Sequence, residues 1–206
     1  MVWEWRGFVA GEWRGALPFP GLEAEDADGP REEREDLYLL APGLAPARNL
    51  KLREGTRLEL KVRVEEAPGG LERWEKVFAH DLPVPPWEAR ELAKRLLPGG
   101  RVPVRGLEYP SDVRRFVAAT GFREAREQGV RKRLRRVYWR GAIAELGALE
   151  LAPGGALAGA EVAPFTTLAL ESPERADVEA LLHEVASPAG LRLLGYSAFL
   201  AGLAPG

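Results

Sequence analysis

The chain has 206 residues, a formal net charge of −2 and no cysteine. That length buries a sizeable core in one domain, taken as 1–206, with no need for a second. Near-neutral charge removes any global pull toward nucleic acid or a membrane surface, and the lack of thiols excludes disulfides, thiolate catalysis and cysteine zinc sites.

The expected elements alternate between two periods. Trp3 to Val9 reads as a first strand, with Trp3 and Trp5 on one face and Glu4 and Arg6 on the other. An irregular surface loop is expected over Gly15 to Pro30, which is rich in Gly, Pro and acids. Strands follow at about 33–40, 48–53, 56–65 and 71–79, separated by Pro42-Gly43, Glu54-Gly55 and Pro68-Gly69-Gly70 at hairpin spacing. Pro85-Pro86 then leads into the helix WEARELAKRLL, stopped by Pro98-Gly99-Gly100. Ser111 is placed to cap a second helix ending at Gly121. Strands resume at about 129–140, 142–151 and 158–171. Ser172 caps a third helix running to about Val185, and a short helix closes the chain from Tyr196 to Leu203. The sum is α+β: an antiparallel eight-stranded β-barrel with helices packed outside.

Other features bound the compartment and host. No apolar run approaches the ~20 residues of a membrane helix, and the N-terminus lacks a signal layout, so no membrane partner is expected and the expected location is cytoplasmic. Asn49 and Gln128 are single occurrences, and arginine outnumbers lysine 24 to 5. That bias suits a heat-tolerant organism, a thermophile, or equally a GC-rich genome.

Several sites are dismissed directly. There is no GxxxxGK, and the Gly-Gly pairs at 69, 99 and 154 read as turns. His80 and His183 stand far apart without a partner motif, and Ser111 and Ser172 are explained as caps rather than nucleophiles. What remains is charge on strands. Lys51, Arg53, Arg57, Glu59, Lys61 and Arg63 alternate with Leu50, Leu52, Leu58, Leu60 and Val62, and Arg131, Arg133 and Arg135 share a parity further on. Successive strand side chains point to opposite faces. Two readings follow: the wet outer face of a sheet, or a charged barrel interior. Cations at i and i+2 stand ~7 Å apart, with neighbours across the ladder at ~5 Å, a pitch that matches the oxygens of a triphosphate. Arginine suits such a ligand because its planar fork binds two oxygens at once.

The residues resemble the CYTH superfamily, the triphosphate tunnel metalloenzymes, over most of the chain. EREDLYLL (33–40), NLKLREG (49–55), RLELKVR (57–63), GLERWEKV (70–77), RKRLRRVYW (131–139), FTTLALESPERADVEALL (165–182) and GYSAFL (195–200) follow that family's strand order. Glu4 and Arg6 match the second Glu and the Lys of its N-terminal ExExK, while the first Glu position holds Val2. The resemblance implies a barrel that binds a triphosphate-containing small molecule or polyphosphate and hydrolyses it with Mg²⁺ or Mn²⁺. It implies phosphate contacts from Arg6, Lys51, Arg53, Lys61, Lys76, Arg131, Arg133 and Arg135. Metal would sit at Glu4, Glu59 and Glu171, with Glu145 and Glu161 as additions, and turnover would rest on Arg53, Lys61 and Glu59. Two other functions are carried beside this triphosphatase. One is a polyanion-binding barrel without catalysis. The other is nucleic-acid binding through the basic strand and exposed tryptophans, which the near-neutral charge argues against.

Overall fold

The computed structural model describes residues 1–11, 19, 31–41, 43–44, 46–97, 105–122, 124–153, 163–185 and 190–203. Nearly all of the loop expected over 15–30, the Gly-Gly pairs at 99 and 154, the first residues of the strand expected from 158, and Glu161 lie outside them.

The elements in chain order are β1 (Val2–Ala10), β2 (Arg31–Leu40), β3 (Arg48–Arg53), β4 (Arg57–Ala67), β5 (Leu71–Asp81), α1 (Pro86–Leu96), α2 (Pro110–Ala119), β6 (Arg126–Trp139), β7 (Ala142–Pro153), β8 (Ala163–Ser172), α3 (Arg175–Leu182), β9 (Arg192–Leu193) and α4 (Tyr196–Ala201). Strands β1 to β8 pair in the order β5-β4-β3-β2-β6-β7-β8-β1, and β1 pairs back onto β5 from Val2↔Trp74 to Trp5↔Leu71. Every pairing is antiparallel, so the sheet closes into an eight-stranded barrel, with helices outside it. Strand β9, absent from the expectation, adds two residues against Gly7 and Phe8 of β1.

The helices decide which face of the alternating strands is dry. Leu50, Leu52, Leu58, Leu60 and Phe78 pack beneath Ala89, Leu92, Ala93 and Leu96 of α1 and Val113, Phe116 and Val117 of α2. Each such buried Leu, Val or Phe side chain contributes about 1.5–3 kcal/mol. With the leucine face covered from outside, Lys51, Arg53, Glu59 and Lys61 are turned inward, and the wet-face reading of β3 and β4 falls. On the far side, Trp3 and Trp5 are buried with Leu168 and Leu170 beneath Val178 and Leu181 of α3, so they offer no exposed stacking surface.

Two helix starts differ from expectation. Helix α2 begins at Pro110, one residue before Ser111, and the Asp112 carboxylate accepts the N–H groups of Glu108 and Tyr109 at 3.1 and 3.0 Å. Helix α3 begins at Arg175. Ser172 ends β8, where its Oγ accepts the Glu174 N–H at 3.1 Å and lies 2.9 Å from Asp177 Oδ2, tying strand to helix.

The barrel is filled at one end. Inward-facing Phe8, Tyr38, Val130, Leu149 and Leu151 pack with Tyr196, Phe199 and Leu200 of α4. Phe8 and Phe199 stack face to face with centroids 3.9 Å apart. The interior is therefore a pocket with one open end.

Candidate functional site

Beyond the plug the interior holds a cavity of about 340 Å³, near the lower end of the roughly 300–1,000 Å³ typical of ligand sites. Arg6, Lys51, Arg53, Lys61 and Lys76, all expected at the site, line it together with Glu4 and Glu171. Arg34, Tyr38, Asn49, Lys132, Arg136 and Tyr196 line it as well, and sequence reasoning missed them.

One wall, built by β2, β3, β4 and β6, is over-supplied with cations. Asp36 is fully buried and its Oδ2 meets Lys132 Nζ at 2.7 Å and Lys51 Nζ at 3.0 Å, with Arg34 Nε at 3.7 Å. Arg53 Nε stands 3.7 Å from its other oxygen. Burial alone would raise the Asp36 carboxyl, but Lys132, Lys51 and Arg34 outweigh it and hold the group ionised far below the usual carboxylate range. Glu59, 1 % exposed, is ringed in the same way by Arg53 (3.2 Å), Arg57 and Lys76 (both 3.5 Å) and Lys51 (3.7 Å). Burial pulls the Lys51 ammonium down to about 8, with Asp36 only partly offsetting that. Arg34 Nε and Arg53 Nε are buried and make no hydrogen bond in the structure.

The opposite wall, from β1, β7 and β8, is balanced. Arg6 is 4 % exposed and donates from Nε to Glu4 (2.6 Å), from Nη1 to Glu145 (2.7 Å) and Thr167 Oγ1 (3.1 Å), and from Nη2 to Glu171 (3.0 Å). Its guanidinium carbon lies 4.6 Å from the centre of the Tyr196 ring. Arg136 pairs with Glu145 at 2.8 Å, and Lys61 reaches Glu4 at 4.0 Å. Burial opposes ionisation of Glu145, yet Arg6 and Arg136 bring it down to about 2. Glu4 is likewise lowered against burial by Arg6 and Lys61. Glu171 goes the other way, raised by burial and by the neighbouring Glu4 charge.

A divalent metal does not fit either wall. Arg6 lies among Glu4, Glu145 and Glu171 and bonds an oxygen of each, and Asp36 and Glu59 each sit within 3.7 Å of several cations. Mg²⁺ or Mn²⁺ would need oxygen lone pairs free of such neighbours. Among the described residues, no group of three or more His, Asp or Glu is disposed to hold a metal ion.

The basic strand is out of phase with expectation. Arg131, Arg133 and Arg135 lie on the outer face of β6, where Arg131 pairs with Glu35 at 2.9 Å and Arg133 with Glu150 at 2.6 Å. Lys132 and Arg136 take the inner face. A shift of one residue exchanges the faces of a whole strand, and here cations occupy both parities. His80 is half-buried and His183 exposed, and both lie outside the cavity.

No family model matches the chain, and no curated protein matches it. Among solved structures it is similar to a Bacillus halodurans protein provisionally named an adenylate cyclase. The two share 13% sequence identity over 88% of this chain and 85% of that one, with a TM-score of 0.40.

Proposed function

We propose that the barrel binds a small polyanion of the triphosphate class: tripolyphosphate, the triphosphate tail of a nucleotide, or the end of a polyphosphate chain. The observation that carries this is the cation surplus on one wall. Arg34, Lys51, Arg53, Lys76 and Lys132 line the cavity and crowd around the carboxylates of Asp36 and Glu59, with Glu32 also paired to Arg34. Like charges held that close in a partly dry cavity favour an anion between them. The side chains of Arg53, Lys61 and Lys76 are 29 %, 25 % and 45 % exposed, so their donors remain reachable from the open end.

Binding is the reading we adopt over metal-dependent hydrolysis, because the carboxylates that hydrolysis would borrow for a metal already serve the interior cations. Glu59 acts in this reading as the anchor that holds Lys51, Arg53 and Lys76 in place, and Arg53 and Lys61 as ligand contacts. Isothermal titration with tripolyphosphate, paired with a phosphate-release assay, tests it. We expect saturable binding at one site without turnover. Lys61→Ala and Arg53→Ala each remove a charge-assisted contact of about 1.5–3 kcal/mol and should weaken affinity roughly ten- to a hundredfold. Unchanged affinity in both variants would sink the assignment, and sustained phosphate release by the wild type would return it to the hydrolases.

A further inference from the structure

We infer that the Arg6 guanidinium is a built-in substitute for a divalent cation, so that the barrel takes up its polyanion without metal. This rests on reading the cavity as a polyanion site. Arg6 fills the space on which three acids converge. Glu4, Glu145 and Glu171 come from three strands, β1, β7 and β8, and converge on one side chain of β1. Guanidinium has five N–H donors; four of the contacts they make are to these three acids and to Thr167 Oγ1. One face of the plane is covered by the Tyr196 ring.

Charge is matched as well as shape. The three carboxylates face three cations: Arg6 shared by all, Lys61 near Glu4, and Arg136 on Glu145, the last also pairing with Glu32, which Arg34 balances in turn. No surplus negative charge is left to attract a hydrated dication. Expelling Arg6 to admit one would leave a buried guanidinium without its partners, which disfavours the exchange. The fixed cation has a second effect. A metal-using site gains and loses its positive charge with the supply of metal, whereas Arg6 keeps its charge at every physiological pH. Wild-type affinity for polyanion should therefore be insensitive to chelators.

Removing Arg6 should unmask the acids. The decisive measurement uses Mn²⁺ alone, with no polyanion present, following loss of the free-ion signal by electron paramagnetic resonance. We expect the wild type to leave the Mn²⁺ signal unchanged and Arg6→Met to bind Mn²⁺ reversibly with respect to EDTA. Adding Glu145→Gln to Arg6→Met should abolish that binding. Stoichiometric Mn²⁺ binding by the wild type that is lost in Glu4→Gln would overturn the inference, and so would a folded Arg6→Met that binds no Mn²⁺. Should Arg6→Met fail to fold, the wild-type titration still decides, together with tripolyphosphate binding in EDTA. That affinity should stay within about twofold when Mg²⁺ replaces the chelator, and a rise of roughly tenfold or more would count against the inference. Absence of tripolyphosphate binding under all conditions would strike the reading of the cavity instead, leaving the Mn²⁺ result to judge Arg6 by itself.

Discussion

Asp36 is the residue on which the cationic wall turns. It sits against Lys51, Lys132, Arg34 and Arg53, so its charge is what allows four cations to share a buried space. Asp36→Asn keeps the shape and removes that charge. Breaking a buried pair from one side costs about 3–5 kcal/mol, and thermal denaturation should show a loss of that order. A bound polyanion supplies the missing negative charge, so tripolyphosphate should raise the melting temperature of Asp36→Asn more than that of the wild type. Equal shifts in the two proteins would separate Asp36 from the binding site. Lys51 makes the site sensitive to pH, beside Lys132, whose ammonium burial pulls well below its usual range with Asp36 only partly offsetting that. The Lys51 ammonium is held at about 8 by burial in the free protein, and an adjoining polyanion favours the charged form, raising that value on binding. Binding is then complete in protons below about pH 8 and must take one up above it. Affinity should fall as pH rises through 8, by up to about tenfold per unit. Lys51→Met should lose that step, and a wild-type affinity that stays flat from pH 7 to 9.5 would contradict the role given to Lys51.

At the scale of elements, α4 matters more than its six residues suggest. Phe199 is fully buried, stacked on Phe8 and edge-on to Phe165, with Tyr196 over the same end of the barrel. Phe199→Ala should cost about 3–5 kcal/mol in a urea titration, a far larger loss than a frayed C-terminal helix would give. What could be read from the chain follows the same physics. Strands β3 and β4 were legible because leucines and charges alternate over both, and the turn Glu54-Gly55 fixes their pairing. The inner face of β2 was hidden: Arg34, Asp36 and Tyr38 lie in a run of acids that looks like solvated surface. Strand β6 was misphased for a more general reason. Its inner face carries Val130 and Leu134 beside Lys132, so near the plug apolar residues point inward, and the rule that grease faces out no longer selects a parity. Helix α4 was seen as a closing segment, but a single turn and a half is too short for periodicity to show which side is buried.

On the scale of the whole molecule, charge is sorted by depth. The chain is nearly neutral in total, yet the cavity wall holds a cation surplus, while on the outside Arg131, Arg133 and Arg140 are matched by Glu35, Glu150 and Glu184. Outer pairs of that kind are worth little and are screened by salt, which leaves the interior as the surface with something to attract. The aromatic plug then sets how a long ligand is met. With α4 filling one end, a linear polymer has no exit path and must enter by its terminus. The protein would thus count chains rather than phosphates. At fixed total phosphate, doubling the length of a polyphosphate halves the number of termini, and the amount bound at saturation should halve with it. A chain that threads through, or lies along the outside, would instead load protein in proportion to total phosphate, unchanged as it lengthens. Titrating the protein against polyphosphates of graded length therefore measures the topology of the barrel, with the ligand as the ruler.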